Sequence, residues 1–311
     1  VQTTLVKPVI FDGVGLHSGA PVRMVVSPAR VNAGITFVRS DVAADVADDR
    51  ACEIAARWDH VVPSQLCTLM RNEDGVTLST VEHIMAALAG LGVNNAVVSV
   101  DGPEVPILDG SAAPFVEKLL SSGLAQQDGP ARVLKVLKPV VIEQGDAVAR
   151  LEPADTMEID FHIDFDDAAI GVQGKRLSMA NGAFVRELSD CRTFCRKSDV
   201  DVMRQNGLAL GGTFENAVVV DGDAVLSPGG LRRDDEPVRH KMLDALGDLY
   251  LAGAPVLGRY VGQKAGHAMT NALLRKLFAT KGAWAFVTVD AKTAARLPGA
   301  GVTRSDLAVC A

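Results

Sequence analysis

The sequence predicts an α+β fold built from two similar halves, and three observations carry that expectation. At 311 residues the chain exceeds what one hydrophobic core usually organises, so two domains are expected. Short β-branched runs bounded by Gly, Pro and Asn alternate with a few longer stretches of helical periodicity. The order strands, helix, strand, helix occurs once before residue 125 and again after residue 132, without a residue-level repeat.

In the first half, Val22–Val26, Ile35–Val38 and Val76–Leu78 read as strands. A helix is expected from Ser79/Thr80 to the glycines at 90 and 92, followed by a strand over Ala96–Val100. A second helix starts near Ser111 and carries Phe115, Val116, Leu119 and Leu120 at helical spacing. Ser121–Arg132, with its Gln-Gln and Asp-Gly-Pro, is the linker candidate, which places domains at 1–125 and 132–289. The second half offers strands at Val133–Leu137, Val140–Ile142 and Met157–Ile163, then a mixed region with an Asp221-Gly222 hairpin joining Ala217–Val220 to Ala224–Leu226. A helix from Pro237 to about Leu251 has its proline where proline is tolerated. A strand (Val256–Val261), a helix (about Gly266–Thr280) and a strand (Trp284–Val289) complete this half, giving sheets packed on helices. Residues 290–311 have no clear periodicity and are expected to form a flexible tail.

Composition narrows the function classes. Hydrophobic residues at 48% and charged residues at 22% exclude wholesale disorder, collagen-like repetition and a simple coiled coil. No apolar run approaches the ~18 residues of a membrane span. A net charge of −7 argues against general nucleic-acid binding, but a phosphate-bearing small ligand needs only one or two local cations. Five cysteines without CxxC spacing signal neither a disulfide framework nor a cysteine zinc site. The N-terminal Val-Gln-Thr-Thr-Leu lacks the segments of a secretory signal, so a cytoplasmic location is expected.

Two local signals carry chemistry. In the helix beginning at Glu236, His240, Asp244 and Asp248 fall on one side, and Val238, Met242, Ala245, Leu246 and Leu249 on the other. Such a stripe either binds a metal or is a solvated face whose His and Asp pair with each other. Ser79-Thr80-Val81-Glu82-His83 either caps a helix through Ser-x-x-Glu or presents a carboxylate beside a metal-binding imidazole that the helix N-terminus keeps neutral. Joined, the two signals offer zinc two histidines and one carboxylate, with a position left open, and place Glu82 as a base beside it. The same ligands suit non-haem iron in an oxygenase, which requires no such base. His267, at a helix start, acts as an acid only if a carboxylate such as Asp248 counters the helix dipole; otherwise it is a helix-cap histidine. The glycines around His17 do not match GxGxxG and read as a turn.

Seven motifs together are more specific than any of these. GVGLHSG (Gly13–Gly19), STVEHIMAALAGLGVNN (Ser79–Asn95), DGPEVPILDGSAAPF (Asp101–Phe115), RTF (Arg192–Phe194), LGG (Leu210–Gly212), VRHKMLDALGDL (Val238–Leu249) and KAGHA (Lys264–Ala268) resemble, in order, the UDP-3-O-acyl-N-acetylglucosamine deacetylases. These are zinc amidases that commit a nucleotide sugar to lipid A synthesis in Gram-negative bacteria. The resemblance covers the chain to about Val289. It implies zinc on His83, His240 and Asp244, Glu82 as general base, His267 as general acid and Asp248 as its orienting partner. It further implies that Thr193 helps to stabilise the oxyanion, that Lys241 and Lys264 lie near the sugar and diphosphate, and that Phe165 faces the uracil. Phe194 would line the substrate site and Cys67 would lie beside it. An insertion around 193–222 would form an apolar passage for the acyl chain, between two α+β domains that share the site. One departure is Cys195, where the family pattern has Gly. The implied partner is the acylated UDP-amino sugar, with no nucleic acid and no stable membrane insertion. The competing readings are an iron oxygenase with the same ligands and a non-catalytic nucleotide-sugar binding module holding a structural zinc.

Overall fold

The computed structural model describes residues 1–43 and 49–309; Cys310 and Ala311 fall outside them. A five-stranded sheet runs in the order Val9–Val14, Pro21–Pro28, Ala96–Val100, Ile35–Arg39, Glu53–Ala55. Its pairs are antiparallel except Ile35–Arg39 with Ala96–Val100, which is parallel. A seven-stranded sheet is centred on Val256–Gln263, which pairs with Ala147–Glu152, Met157–Asp164 and Arg132–Val136. Helices Glu82–Gly90 and Ala113–Ser122 follow the strands of the first half, and Glu236–Tyr250 and His267–Ala279 those of the second. The mixed α+β class expected from the sequence is the one observed.

Alternation decides which faces are buried. In Pro21–Pro28 the side chains of Val22, Met24 and Val26 are buried while Pro21, Arg23 and Pro28 are exposed, the period-2 pattern of a sheet covered on one face. Helix Glu82–Gly90 is buried at every position, as expected for a helix enclosed on all sides. Its small residues, Ala86, Ala87, Ala89 and Gly90, allow close approach.

Backbone approaches backbone at Gly247 of helix Glu236–Tyr250. A Cβ there would stand 2.1 Å from the Glu82 carbonyl oxygen. Gly247→Ala would gain about 1 kcal/mol of helix propensity. Against backbone that cannot fold away, overpacking costs about 1–3 kcal/mol or more, so the variant is expected to melt earlier. It is also expected to bind metal less well, because the residue it displaces adjoins His83. An unchanged melting temperature and metal content would mean that the two helices separate without cost.

Three expectations are corrected. The linker candidate Ser121–Arg132 contains a strand, Leu124–Gln127, paired with Gln2–Leu5. Strands Ala147–Glu152 and Val172–Ser178 were not expected; the second shows no buried residue and so carries no apolar alternation. The described part of 290–311 is anchored rather than a flexible tail. Asp290 caps a helical turn by accepting the Thr293 N–H (2.7 Å), Leu297 packs with Val133 and Leu257, and Arg186 pairs with Asp306 at 2.8 Å. Gly299, with φ +81°, fits where a Cβ would meet the Leu91 carbonyl carbon at 2.2 Å. These anchors are single residues, so no periodicity announces them.

Candidate active site

Three helices meet at one point. The period of helix Glu236–Tyr250 places His240, Asp244 and Asp248 in a stripe, and all three are buried, at 2%, 6% and 4% exposure. A solvated face is thereby excluded. His83 enters from the first turn of helix Glu82–Gly90, and His267 is the first residue of helix His267–Ala279.

Nε2 of His240 and Nε2 of His83 lie 3.3 and 3.5 Å from Oδ1 of Asp244. One ligand atom from each residue falls within 4.8 Å of the others. Nδ1 of His240 is 2.9 Å from the Cys191 carbonyl oxygen. A carbonyl only accepts, so Nδ1 carries the proton and Nε2 offers its lone pair. That lone pair faces Asp244 Oδ1, a buried oxygen that receives no hydrogen bond. Two bare acceptors facing each other repel unless a cation lies between them. The donor set fits zinc or non-haem iron.

Charge follows the same geometry. Burial pushes His240 down to about 4, against the opposing pull of Asp244. Burial disfavours ionised Asp244, but the neighbouring His240 and His83 outweigh it and hold the carboxyl well below the usual range. His83 departs from the expectation drawn from its helix N-terminus. Burial lowers its pKa, yet Asp244 more than reverses this and leaves it above the ordinary histidine value. A metal bound by His83 would have to displace the proton that Asp244 favours there.

Glu82 does not cap its helix. Val81 holds the cap position without a side-chain bond, and Glu82 Oε2 instead accepts the Thr68 N–H at 3.1 Å. Burial raises the Glu82 carboxyl to about 6, although His267 and His83 pull it down. Nδ1 of His267 lies 2.7 Å from Asp248 Oδ2, and Nε2 lies 3.6 Å from Glu82 Oε1. Burial and the helix N-terminus disfavour the imidazolium, but Asp248 and then Glu82 prevail and raise His267 to about 10.

A cleft of about 750 Å³ opens over this cluster, lined by Thr193, Phe194, Cys195, Phe165, Lys241, Lys264 and His267 among others. Thr193 is fixed through its backbone: its N–H donates to Gly110 O and its carbonyl accepts from Val218 N–H, both at 2.8 Å. Arg192, beside it, makes a buried ion pair with Glu236 at 2.9 Å. Phe194 meets Phe165 edge-on, with centroids 5.5 Å apart. Lys264 is held by Asp146 and Asp164 at 2.8 and 3.0 Å, whereas Lys241 has no ion pair among the described residues. Cys67 is buried and does not line the cleft. Burial and the charge of Glu82 push its thiol up to about 11.

A family model described as UDP-3-O-acyl N-acetylglycosamine deacetylase matches residues 2–279. The chain belongs to this deacetylase family. Proteins named UDP-3-O-acyl-N-acetylglucosamine deacetylase from Phenylobacterium zucineum and Idiomarina loihiensis are 52% and 46% identical to it over 283 and 295 residues. Those alignments cover 91% and 94% of this chain and 95% and 94% of the relatives. A third, from Shewanella oneidensis, is 45% identical over 304 residues, 96% of this chain and 97% of the relative. His83, His240 and Asp244 of the deacetylase form a site consistent with the family's catalytic zinc.

Sequence reasoning passed over Thr68 and Glu104, both buried polar residues of this deacetylase. Glu104 accepts the N–H groups of His17 and Ser18 and the Thr80 hydroxyl. It thus ties the glycine-rich turn to the start of the Glu82 helix. Thr80 has φ 59°, a conformation that costs energy for a β-branched residue and is held here by that hydrogen bond. A local motif search sees Glu104 only as one acid within DGPEVPILDG.

Proposed function

We propose that this deacetylase hydrolyses the N-acetyl group of UDP-3-O-(3-hydroxyacyl)-N-acetylglucosamine, with Glu82 as base and His267 as acid, at the committed step of lipid A biosynthesis. The observation that carries this reading is the imidazole of His267, held between Asp248 and Glu82 beside three convergent metal-ligating side chains. Zinc held by His83, His240 and Asp244 would polarise the amide carbonyl and acidify water.

Every other part belongs to the chain. Oε1 of Glu82, which faces His267 Nε2 at 3.6 Å while Oε2 accepts from Thr68, accepts a proton from the attacking water. A carboxyl raised to about 6 is matched to that transfer near neutral pH. Water oxygen adds to the carbonyl carbon, and the hydroxyl of Thr193, with no hydrogen bond to another described residue, donates to the oxyanion. The C–N bond then breaks as His267 Nε2 gives its proton to the leaving nitrogen. Asp248 keeps that imidazole oriented and charged. The products are acetate and the free 2-amino sugar nucleotide.

Binding divides along the cleft. Lys241, with no ion pair among the described residues, is the stronger candidate for the diphosphate; Lys264 must first give up Asp146 and Asp164. The edge-on pair Phe165 and Phe194 offers apolar surface to the uracil and to the sugar side. Val200, Met203, Phe214 and Val219 line the part contributed by 193–222, and this supports an acyl passage in which Cys195 adds bulk in place of Gly. A division of the chain into 1–125 and 132–289 assigns Glu82 and His83 to the first domain and His240, Asp244 and His267 to the second. Among the described residues no helix is long and apolar enough to cross a membrane.

The test is acetate release from the acylated UDP-sugar by protein stripped with a chelator and then reloaded. Activity is expected to vanish on stripping and to return with zinc, without consumption of oxygen. Oxygen-dependent turnover without acetate would establish the iron oxygenase instead. Stable substrate binding by zinc-loaded protein with no turnover would establish a binding module.

A further inference from the structure

We propose that Thr68 is a positioning residue that fixes the acid and the base of this reaction against each other, an inference that rests on the roles given to Glu82 and His267 above. Thr68 is 3% exposed and precedes the short strand Leu69–Arg71, whose Met70 is fully buried. Its N–H donates to Glu82 Oε2 at 3.1 Å and its hydroxyl donates to Asp248 Oδ1 at 2.5 Å. Each carboxylate therefore has one oxygen occupied by Thr68 and the other turned toward the same imidazole. Oε1 of Glu82 is 3.6 Å from His267 Nε2, and Oδ2 of Asp248 is 2.7 Å from His267 Nδ1.

The terminal torsions of Asp and Glu are broad, so a carboxylate held at one oxygen only can rotate away from its target. Thr68 removes that freedom from both groups at once. Its own χ1 is restricted by β-branching and by burial, so the two donors are set before substrate arrives. Thr68 is not among the residues that line the cleft, and an effect on substrate binding is not expected from it. Its contribution lies in the chemical step.

Thr68→Val removes the hydroxyl and keeps the backbone donor to Glu82. Measurements of kcat, KM, zinc content and melting temperature are expected to give a kcat lowered about 10- to 100-fold, the fold-change that corresponds to losing one hydrogen bond to a charged group. KM should stay within about twofold and zinc content should be unchanged, as follows from a group that acts only on orientation. Thr68→Ser, which restores the hydroxyl, is expected to recover most of the rate. Thr68→Ala places no methyl against the carboxylate and is expected to repeat the valine loss, which guards against a packing defect. In an Asp248→Ala background, Thr68→Val should cost no more than about twofold, since coupled residues are not additive.

A wild-type kcat in a folded Thr68→Val or Thr68→Ala protein would overturn the inference, as would a change confined to KM. Equal losses in the serine and valine variants, or a full loss in the Asp248→Ala background, would also overturn it. These outcomes leave the acid–base reading intact. That reading fails separately, and takes this inference with it, if Glu82→Gln and His267→Ala both turn over at the wild-type rate.

Discussion

Asp244→Ala is expected to strip the protein of zinc and to reduce acetate release by more than about 10³-fold, since the metal contributes several kcal/mol to such a reaction. Asp244 Oδ1 is the point on which both histidines converge, at 3.3 and 3.5 Å. Its removal leaves two neutral ligands where a catalytic zinc site needs three. The same substitution removes the negative charge that raises His83 and contributes to raising His267. Metal analysis and a melting curve with and without zinc give readouts independent of turnover. Zinc should raise the melting temperature of the unsubstituted chain, because it binds the folded state, and should leave the variant unmoved. A variant that keeps both its zinc and its rate would remove Asp244 from the ligand set.

The second expected result is a bell-shaped pH profile whose two limbs respond to different substitutions. Glu82 must be ionised, and burial has raised it to about 6. His267 must be protonated, and Asp248 holds it near 10 against burial. Activity therefore rises as pH passes the first group and falls as it passes the second. A bound cation adds positive charge beside both and moves both limbs to lower pH, so the direction of change on substitution is the decisive reading. Asp248→Asn takes away the largest influence that raises His267, and the basic limb should shift to lower pH with zinc content unchanged. His267→Ala should abolish that limb and lower kcat by about 10²–10⁴-fold, the usual worth of a general acid. Glu82→Gln should keep zinc and lose a similar factor of about 10²–10⁴. The limbs belong to a coupled pair 3.6 Å apart, so each assignment requires its own variant. A basic limb unchanged in His267→Ala would transfer the acid role to another group, such as Glu82 after it has accepted a proton.

Much of this deacetylase is legible from local sequence. The short apolar run Ala96–Val100 is a strand with the bounds read from the sequence, and the helices carrying His240 and His267 begin within one residue of the expected starts. Both signals are short-range. A strand with a covered face must alternate, and a helix must return to the same face every three or four residues. The metal ligands are legible for the same reason on the Glu236 helix, where i and i+4 share a face. Glu82 shows where a local rule leaves two readings open. Ser79-x-x-Glu82 satisfies the local rule for a capping box, yet the carboxylate bonds Thr68 instead. The segment 290–309 failed in the opposite sense, since its packing through Leu297 and Asp306 leaves no period to detect.

The sequence by itself determined the α+β class, the helices that carry the site, the stripe His240-Asp244-Asp248 and, through seven motifs, the family. Only the tertiary structure decided which of these polar residues are buried and which partners they meet. A buried carboxylate is a base, a ligand or a cap according to the donor that reaches it, and those donors come from distant segments. Thr68 and Asp248 are 180 residues apart and share a hydrogen bond of 2.5 Å. Glu104 meets His17 across 87 residues. Burial then magnifies each such contact, because charges removed from water respond strongly to whichever neighbour remains. That is why His240 falls to about 4 while His267 rises to about 10: the two residues are the same, and the atoms packed around them differ.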